Sequence, residues 1–249
     1  MCYDFQAQLK TQLKWAIKEG RVKEIEEIRK KLVDLGVYDY FHTSGFNHEK
    51  FVISTQNGAF LVASWGLIPG YTKGIDAKNK IINSTLNARL ETIFDKPSFK
   101  NSAHFKRAIL HVDGFYEHHH FKKEVYPFLI SHKNKEPMCI AVLWDEWKNP
   151  ESGKLEVSFS VVTTRGNKVM SAIHNNPKLE EARMPLIITG SEELWLNYSP
   201  EKEKEIRAIA QEQELEYITV NKLRGKKYLG NKVEATQPFI YEELEFSIK

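Results

Sequence analysis

From Phe5 to about Leu35 apolar residues return every three or four positions, at Leu9, Leu13, Ala16 and Ile17, then at Val22, Ile25, Ile28 and Leu32. That is the period of one helix face, and Gly20 divides the run into two helices or one kinked helix. The outward positions (Lys23, Glu24, Glu26, Glu27, Arg29, Lys30, Lys31) alternate in sign. They read as solvated ion-pair ladders rather than a polyanion-binding face. Beyond Gly36 the chain becomes strand-rich. Phe51–Thr55 and Phe60–Trp65 flank Gln56-Asn57-Gly58, a hairpin signal, and Gly66–Tyr71 follows as a loop. Further strands are predicted at Ala108–Val112, Phe115–His118, Tyr126–His132, Met138–Trp144, Val157–Thr164, Met184–Ile188 and Glu216–Val220. Helices are predicted at Lys168–His174, Glu192–Tyr198 and Pro200–Gln213, the last with Pro200 in its first turn behind a Ser199 cap.

Strands and helices do not alternate strictly, which argues against a doubly wound fold. The expected class is α+β, a single compact domain with a mainly antiparallel, barrel-like β core and peripheral helices. It is expected to span residues 1–237, with 238–249 as a C-terminal tail; the less periodic stretch from Asn221 onward is expected to wrap the body. With 41% apolar and 28% charged residues, the chain can bury a core without disulfides or metal. Cys2 and Cys139 are its only cysteines, and Cys139 sits in the apolar run Met138–Leu143 as a small core filler. No window approaches the ~18 apolar residues of a membrane span, and residues 1–15 lack the apolar stretch of a signal peptide. The expectation is a soluble cytoplasmic protein. A net charge of +3 permits a nucleic-acid partner without requiring one.

The candidate chemistry begins at Met1-Cys2. Initiator methionine is usually trimmed before a small residue, and trimming would leave a free α-amine beside the Cys2 thiol. The two groups titrate near ~8 and ~8.5, so both keep useful nucleophilic fractions at neutral pH. Two carbons apart, they can capture one aldehyde together, as an imine that closes to a five-membered thiazolidine. A cysteine beside a start codon is also what any frayed terminus can carry. Four downstream stretches bear on the choice. Tyr71, beyond the turn Trp65-Gly66-Leu67-Ile68-Pro69-Gly70, is a candidate stacking platform. In Asn87-Ala88-Arg89-Leu90-Glu91, an extended backbone puts Asn87, Arg89 and Glu91 on one face, though a capped exposed turn fits as well. Glu117, after Gly114-Phe115-Tyr116, ends an apolar strand where burial raises a carboxyl pKa. Of His118, His119 and His120 only the first and third share a strand face, and no metal-ligand spacing supports them, so no metal is expected. His174 closes a short helix and Arg183 precedes an apolar strand. Such a histidine is either a structural residue or, on a loop between scaffold elements, a catalyst.

In this order the motifs resemble those of the SRAP family, abasic-site processing proteins that act on single-stranded DNA. The points of resemblance are Met1-Cys2, Trp65-Gly66-Leu67-Ile68-Pro69, Asn87-Ala88-Arg89 with Glu91-Thr92, Gly114-Phe115-Tyr116-Glu117, and His174 with Arg183-Met184-Pro185. The resemblance implies that Cys2 forms a thiazolidine crosslink with the ring-opened abasic sugar and that Asn87 orients the Cys2 backbone. It implies that Glu117 carries protons during imine formation and closure, and that His174 acts as general acid on the sugar. Arg89 and Arg183 would clamp phosphates, while Tyr71 and His118 would stack on or wedge bases. The implied partner is abasic single-stranded DNA, bound by a monomer without cofactor, nucleoid-associated in a prokaryotic cell. The chain departs from the family in having Tyr3-Asp4 where many members have Gly-Arg, and His118 where many have Trp. It also carries an insert over Asn175–Ala182, and Thr43-Ser44-Gly45-Phe46 offers no clear match to the family's proline wedge. Two other readings stay open: a cysteine-type peptidase using Cys2, His174 and Asn87, and a non-catalytic single-strand binding module.

Overall fold

The hairpin signal at Asn57-Gly58 organises the first half of the core. In the computed structural model, which describes residues 2–14 and 25–244, it joins β3 (Lys50–Thr55) to β4 (Phe60–Trp65). Gly58 turns at φ +79°, a conformation that costs glycine little, and Val52 pairs with Val62 and Ile53 with Leu61. β3 pairs next with β6 (Arg107–Val112), which pairs with β9 (Met138–Lys148). β9 pairs with β10 (Leu155–Arg165), and β10 returns to β4, in parallel, closing a ring of five strands. Closure leaves those strands no free edge within the ring. Two short strands ride on β10: β5 (Asn87–Arg89) in parallel and β11 (Arg183–Pro185) antiparallel.

A second sheet packs beside the ring. Its order is β12 (Leu215–Thr219), β8 (Glu124–His132), β7 (Gly114–Phe121), β1 (Asp4–Ala7) and β2 (Tyr40–Ser44), all antiparallel. The architecture is the expected α+β domain with a mainly antiparallel barrel. Its helices are peripheral: α1 (Leu9–Gln12), α2 (Ile25–Asp34), α3 (Ile75–Ile81), α4 (Pro97–Phe105), α5 (Lys168–Ile173), α6 (Glu192–Leu196) and α7 (Glu203–Glu212). None among the described residues is long and apolar enough to cross a membrane.

The first helical run needs correction. Residues 4–7 form β1 instead, because Phe5 and Ala7 bury on the core side while the backbone pairs with both β2 and β7. Helix begins only at Leu9, where Asp39 accepts from the Leu9 N–H at 2.7 Å and Asp113 from the Gln8 N–H at 2.6 Å. Two carboxylates from distant segments thus satisfy donors that a helix start leaves orphaned. The expected continuation through Ala16, Ile17, Gly20 and Val22 lies outside the described residues. β2, α3 and α4 are additions to the sequence reading, and Asn87–Thr92 is extended only as far as Arg89 before Leu90–Thr92 turns as a 3-10 helix.

Trp65 ties the two sheets together. Its ring stacks on Phe5 of β1 at 4.7 Å and meets Phe51 and Phe159, both at 6.2 Å, while its indole N–H donates to Leu86 O at 2.9 Å. A fully buried aromatic cluster of this kind is worth several kcal/mol of burial, roughly 2–3 for each ring. It also fixes β1, and therefore Cys2, against the ring. Beyond β12 the chain does wrap the body. Asn231 accepts from the Phe41 and His42 N–H groups and donates to Asp39 O, lying along the outer edge of β2. Phe239 N–H donates to Thr219 O beside β12, and the Tyr241 hydroxyl to Val220 O.

Candidate functional site

Each candidate side chain is placed by a local cause. Cys2 precedes β1 and is wholly buried, its thiol directed at Asp4 O 3.8 Å away. The neighbouring Tyr3 is pinned by its carbonyl, which accepts from the Gly45 N–H at 2.7 Å, and by its ring, 5.2 Å from that of Phe46. The Thr43–Phe46 stretch, without a match in the sequence motifs, is thus what receives the N-terminal segment. Glu117 lies on β7 opposite Phe128 of β8, deep enough that only 6% of it is exposed. α5 begins at Asn167, whose side chain accepts from Met170 N–H at 3.0 Å, and ends with His174 as its C-terminal cap. That short helix brings the His174 ring to Glu117, with Nδ1 3.2 Å from Oε2.

Tyr3, Glu117, His118, His120 and His174 line one side of a cavity of about 760 Å³. The other side comes from the turn between β7 and β8 (Lys123, Glu124), from Asn176 and Lys178 of the insert, and from Lys222 and Arg224 beyond β12. The strand alternation expected of the three histidines holds: His118 and His120 face the cavity, whereas His119 donates through Nδ1 to Ile173 O, 3.1 Å away. Among the described residues no group of three His, Cys, Asp or Glu is placed to hold a metal ion. The turn itself is tight, with Lys122 and Lys123 both at positive φ, 47° and 67°, where side chains other than glycine or asparagine are uncommon. Asn175 braces it from below, accepting from His120 N–H at 2.7 Å and donating to His120 O at 2.8 Å.

Burial sets the protonation states. It pushes the Glu117 carboxyl up to about 7, so near neutrality this group exists in both forms. It pushes the Cys2 thiol well above its ordinary range, reinforced by the charge of Glu117, so the resting thiol is protonated. The same cause brings His174 and His118 down to about 4, leaving both rings neutral. His174 owes this state to its surroundings. The ring is neutral chiefly through desolvation, and Arg183 meets it with its carbonyl, not its guanidinium: Nδ1 lies 2.9 Å from Arg183 O. A carbonyl only accepts, so this shorter contact favours the proton on Nδ1 over the competing Arg183 N–H contact at 3.3 Å, which leaves Nε2 with a lone pair. A neutral ring of this kind can take a proton first and give it back later.

Arg183 departs from expectation. It is 3% exposed and does not line the cavity. Its guanidinium reaches Glu91 at 2.9 and 3.2 Å, Glu181 at 2.9 Å and Thr163 O at 2.9 Å. Glu91, having left the Asn87–Arg89 face in the 3-10 turn, is held below the usual carboxylate range, because this pairing outweighs the effect of burial. Arg183 is therefore a brace between β10, β11 and Glu91, and an incoming phosphate would have to break several charge-assisted bonds to use it. Arg89 is exposed on β5 and Tyr71 is 59% exposed on its loop; neither lines the cavity. The Asn87 amide has both polar atoms buried and unbonded among the described residues, which suits a group waiting for a backbone or ligand partner.

Sequence reasoning missed Tyr3, Lys178, Lys222 and Arg224 as lining residues. Arg224 is the most telling, since it pairs through Nη2 with both oxygens of Asp4, at 3.0 and 2.9 Å. Asp4 was visible as a departure from the family pattern, but its partner lies 220 positions away.

Comparison with known proteins shows relatives in both sequence and fold. The chain is 36% identical over 135 residues to "Abasic site processing protein YoqW" of Bacillus subtilis (strain 168), a match covering 53% of this chain and 55% of that protein. It is 30% identical over 154 residues to "Abasic site processing protein HMCES" of Xenopus tropicalis, covering 54% and 44% respectively. The chain thus spans about half the length of the curated relatives it matches. A crystal structure of a Bacteroides thetaiotaomicron protein superimposes with a TM-score of 0.80 at 27% identity, over 96% of this chain and 100% of that one. A Bordetella bronchiseptica protein shares the fold, with a TM-score of 0.66 at 18% identity over 88% of this chain and 99% of that one. Residues 26–226 match the family model of the SOS response associated peptidase (SRAP), and the chain belongs to that family.

Proposed function

We propose that this chain captures abasic sites in single-stranded DNA as a covalent thiazolidine on Cys2, shielding the lesion. The observation that carries the reading is the buried Glu117–His174 pair, 3.2 Å apart at the wall of a cavity beside the N-terminal cysteine. The relatives named for abasic-site processing support it.

An abasic sugar is mostly a closed hemiacetal. Neutral His174 takes the proton of its C1′ hydroxyl through Nε2 while the Glu117 acid gives one to the ring oxygen, releasing the aldehyde. With Met1 removed, the Cys2 amine adds to that carbon. The His174 imidazolium returns its proton to the new alkoxide and the Glu117 carboxylate takes one from the new ammonium. Glu117 then protonates the carbinolamine hydroxyl, water leaves, the iminium gives its proton back to Glu117, and the thiol sulfur adds to the imine carbon as its proton goes to the nitrogen. The sum is aldehyde plus aminothiol giving thiazolidine plus water. Glu117 suits this work because a group titrating at about 7 both gives and takes protons near neutrality. Fixing amine and thiol beside the sugar makes the condensation intramolecular, with effective molarities of ~10⁵ M or more open to well-oriented groups. The unbonded Asn87 amide is assigned to orienting the Cys2 backbone. Arg89 and Tyr71, exposed outside the cavity, are assigned to phosphate and base contacts along the strand, and His118 to the nucleotide beside the lesion.

The functional unit is residues 1–237 acting as a monomer, and its setting is cytoplasmic or nucleoid DNA. A peptidase reading gains less support: it needs His174 to deprotonate Cys2, but a ring titrating at about 4 is a weak base for a thiol raised by burial. The test is a denaturing gel of the protein mixed with single-stranded DNA bearing one abasic site. A one-to-one SDS-resistant adduct should form, vanish in Cys2→Ala, and vanish when Met1 is retained behind a fused tag. An adduct undiminished by the tag would sink the thiazolidine.

A further inference from the structure

Resting on the function proposed above, we infer that Arg224 is the phosphate-binding residue at the mouth of the cavity, oriented for a nucleic-acid phosphodiester by the buried carboxylate of Asp4. With Arg183 locked on Glu91 and Glu181, and Arg207 on Glu203 and Glu91, those guanidiniums are already engaged by carboxylates. Arg224 differs. It lines the same cavity as Glu117 and His174, across from them, and its side chain is 57% exposed. Only its Nη2 is used, on Asp4, so Nε and Nη1 form no further hydrogen bond among the described residues.

What holds Arg224 is itself held. Asp4 is 3% exposed in its side chain; besides Arg224 it accepts from His42 Nε2 at 3.2 Å, and His42 Nδ1 in turn accepts from the Tyr228 hydroxyl at 2.7 Å. A guanidinium held at Nη2 by both oxygens of a buried carboxylate has less rotamer freedom left to lose when its Nε and Nη1 meet a phosphate. Asp4 offsets the Arg224 charge, but the rim keeps a cationic excess. Lys222 pairs with Glu124 at 3.3 Å, while Lys123 and Lys178 line the opening without an ion pair among the described residues. The lost cation of the family's Gly-Arg pattern at the chain start is thereby returned from the other end of the chain, with Asp4 as its socket.

The experiment is fluorescence anisotropy of a labelled, intact single-stranded oligonucleotide, which cannot react, titrated across a series of KCl concentrations. R224Q should bind roughly tenfold more weakly and flatten the plot of log K against log [KCl] by ~0.7, the slope of one phosphate contact on a single strand. R224K should keep the wild-type slope and lose part of the affinity, because a point charge remains but the fork does not. K204Q, the same charge change at an exposed residue of α7 outside the cavity lining, should match wild type. An R224Q slope equal to wild type overturns the assignment, and so does an R224Q effect no larger than that of K204Q. Should R224Q not fold, R224K with wild-type affinity overturns it. A parallel gel with abasic DNA separates the two readings. No adduct beside an Arg224-dependent slope sinks the capture chemistry and leaves the clamp; an adduct beside an unmoved slope does the reverse. If no oligonucleotide binds, both fall.

Discussion

Glu117 Oε2 and His174 Nδ1 lie 3.2 Å apart with both side chains buried, yet their protonation is pushed in opposite directions, the acid up to about 7 and the base down to about 4. Desolvation favours the uncharged form of each, so between about pH 4 and 7 the pair rests as carboxylic acid and neutral imidazole rather than as an ion pair.

The first prediction separates the two roles. Glu117→Gln keeps the shape and removes proton transfer, so crosslinking should slow by roughly 10²–10⁴. A borohydride-trappable imine should persist in that variant, since ring closure lags. His174→Gln should also slow capture but give much less trappable imine, because open aldehyde is scarcer. The ratio of trapped to spontaneous adduct, followed from acid to neutral pH, checks this; equal ratios in both variants would refute the division of labour.

Stability should carry the same signature. Folded Glu117 titrates at about 7 against an ordinary 4.5, so its contribution is complete below 4.5 and is lost as pH rises through about 7. His174 and His118 titrate at about 4 against 6.5, so theirs is complete above 6.5 and is lost as pH falls through about 4. Between 4.5 and 6.5 two histidines oppose one carboxyl, and stability rises with pH; between 6.5 and 7 the carboxyl acts alone and it falls. Glu117→Gln should erase that fall, worth less than about 1 kcal/mol over half a unit, and steepen the rise below it. Thermal melts of both proteins across this range provide the comparison, and parallel Tm curves would count against it.

Arg183 and Arg89 should behave as different kinds of residue. Arg183→Ala removes charge-assisted bonds to Glu91, Glu181 and Thr163, and although Glu91 keeps Arg207 and Glu181 keeps Arg165 it should cost about 1–3 kcal/mol of unfolding free energy, leaving the salt dependence of DNA binding unchanged in the protein that folds. Arg89→Ala, at an exposed position, should leave stability within about 0.5 kcal/mol and flatten the salt slope by ~0.7. Urea unfolding and salt titration of the two variants read these effects separately.

Gly114→Ala tests how closely β7 must approach β8. A Cβ there would sit 2.5 Å from Ile130 O and 3.1 Å from Leu129 Cδ1. The backbone carbonyl cannot give way cheaply, so the variant should lose about 2 kcal/mol or more. Displacing β7 three residues before Glu117 should slow crosslinking as well; a stable, fully active variant would show that the strands shift freely.

The sequence was most legible where period and turn chemistry agreed. Asn57-Gly58 gave β3–β4, and the apolar runs gave β6, β9 and β10, hence the barrel. It misled at Asp4–Ala7, where Phe5 fits a helical period as well as a strand and only pairing with β2 and β7 decides. α4 carried a usable signal in Pro97, Phe99 and Ala103, with proline in the first turn and apolar residues four apart. The site was legible as residue types, since Glu117 and His174 do line one cavity and the charge of Glu117 is felt by the buried Cys2 thiol. What pairwise contacts decide was not: Arg183 looked like a clamp until its three acceptors were in view, and nothing near Asp4 announces Arg224.

β2 ends its sheet, and such an edge is a template on which another chain can add a strand. Asn231 occupies it with a single side chain that imitates a neighbouring strand, accepting from two successive N–H groups and donating to the carbonyl of Asp39. A chain cut short before that residue would keep its barrel and most of its cavity wall while exposing an unguarded seam. Its first failing in a cell would be self-association, well before any loss of chemistry.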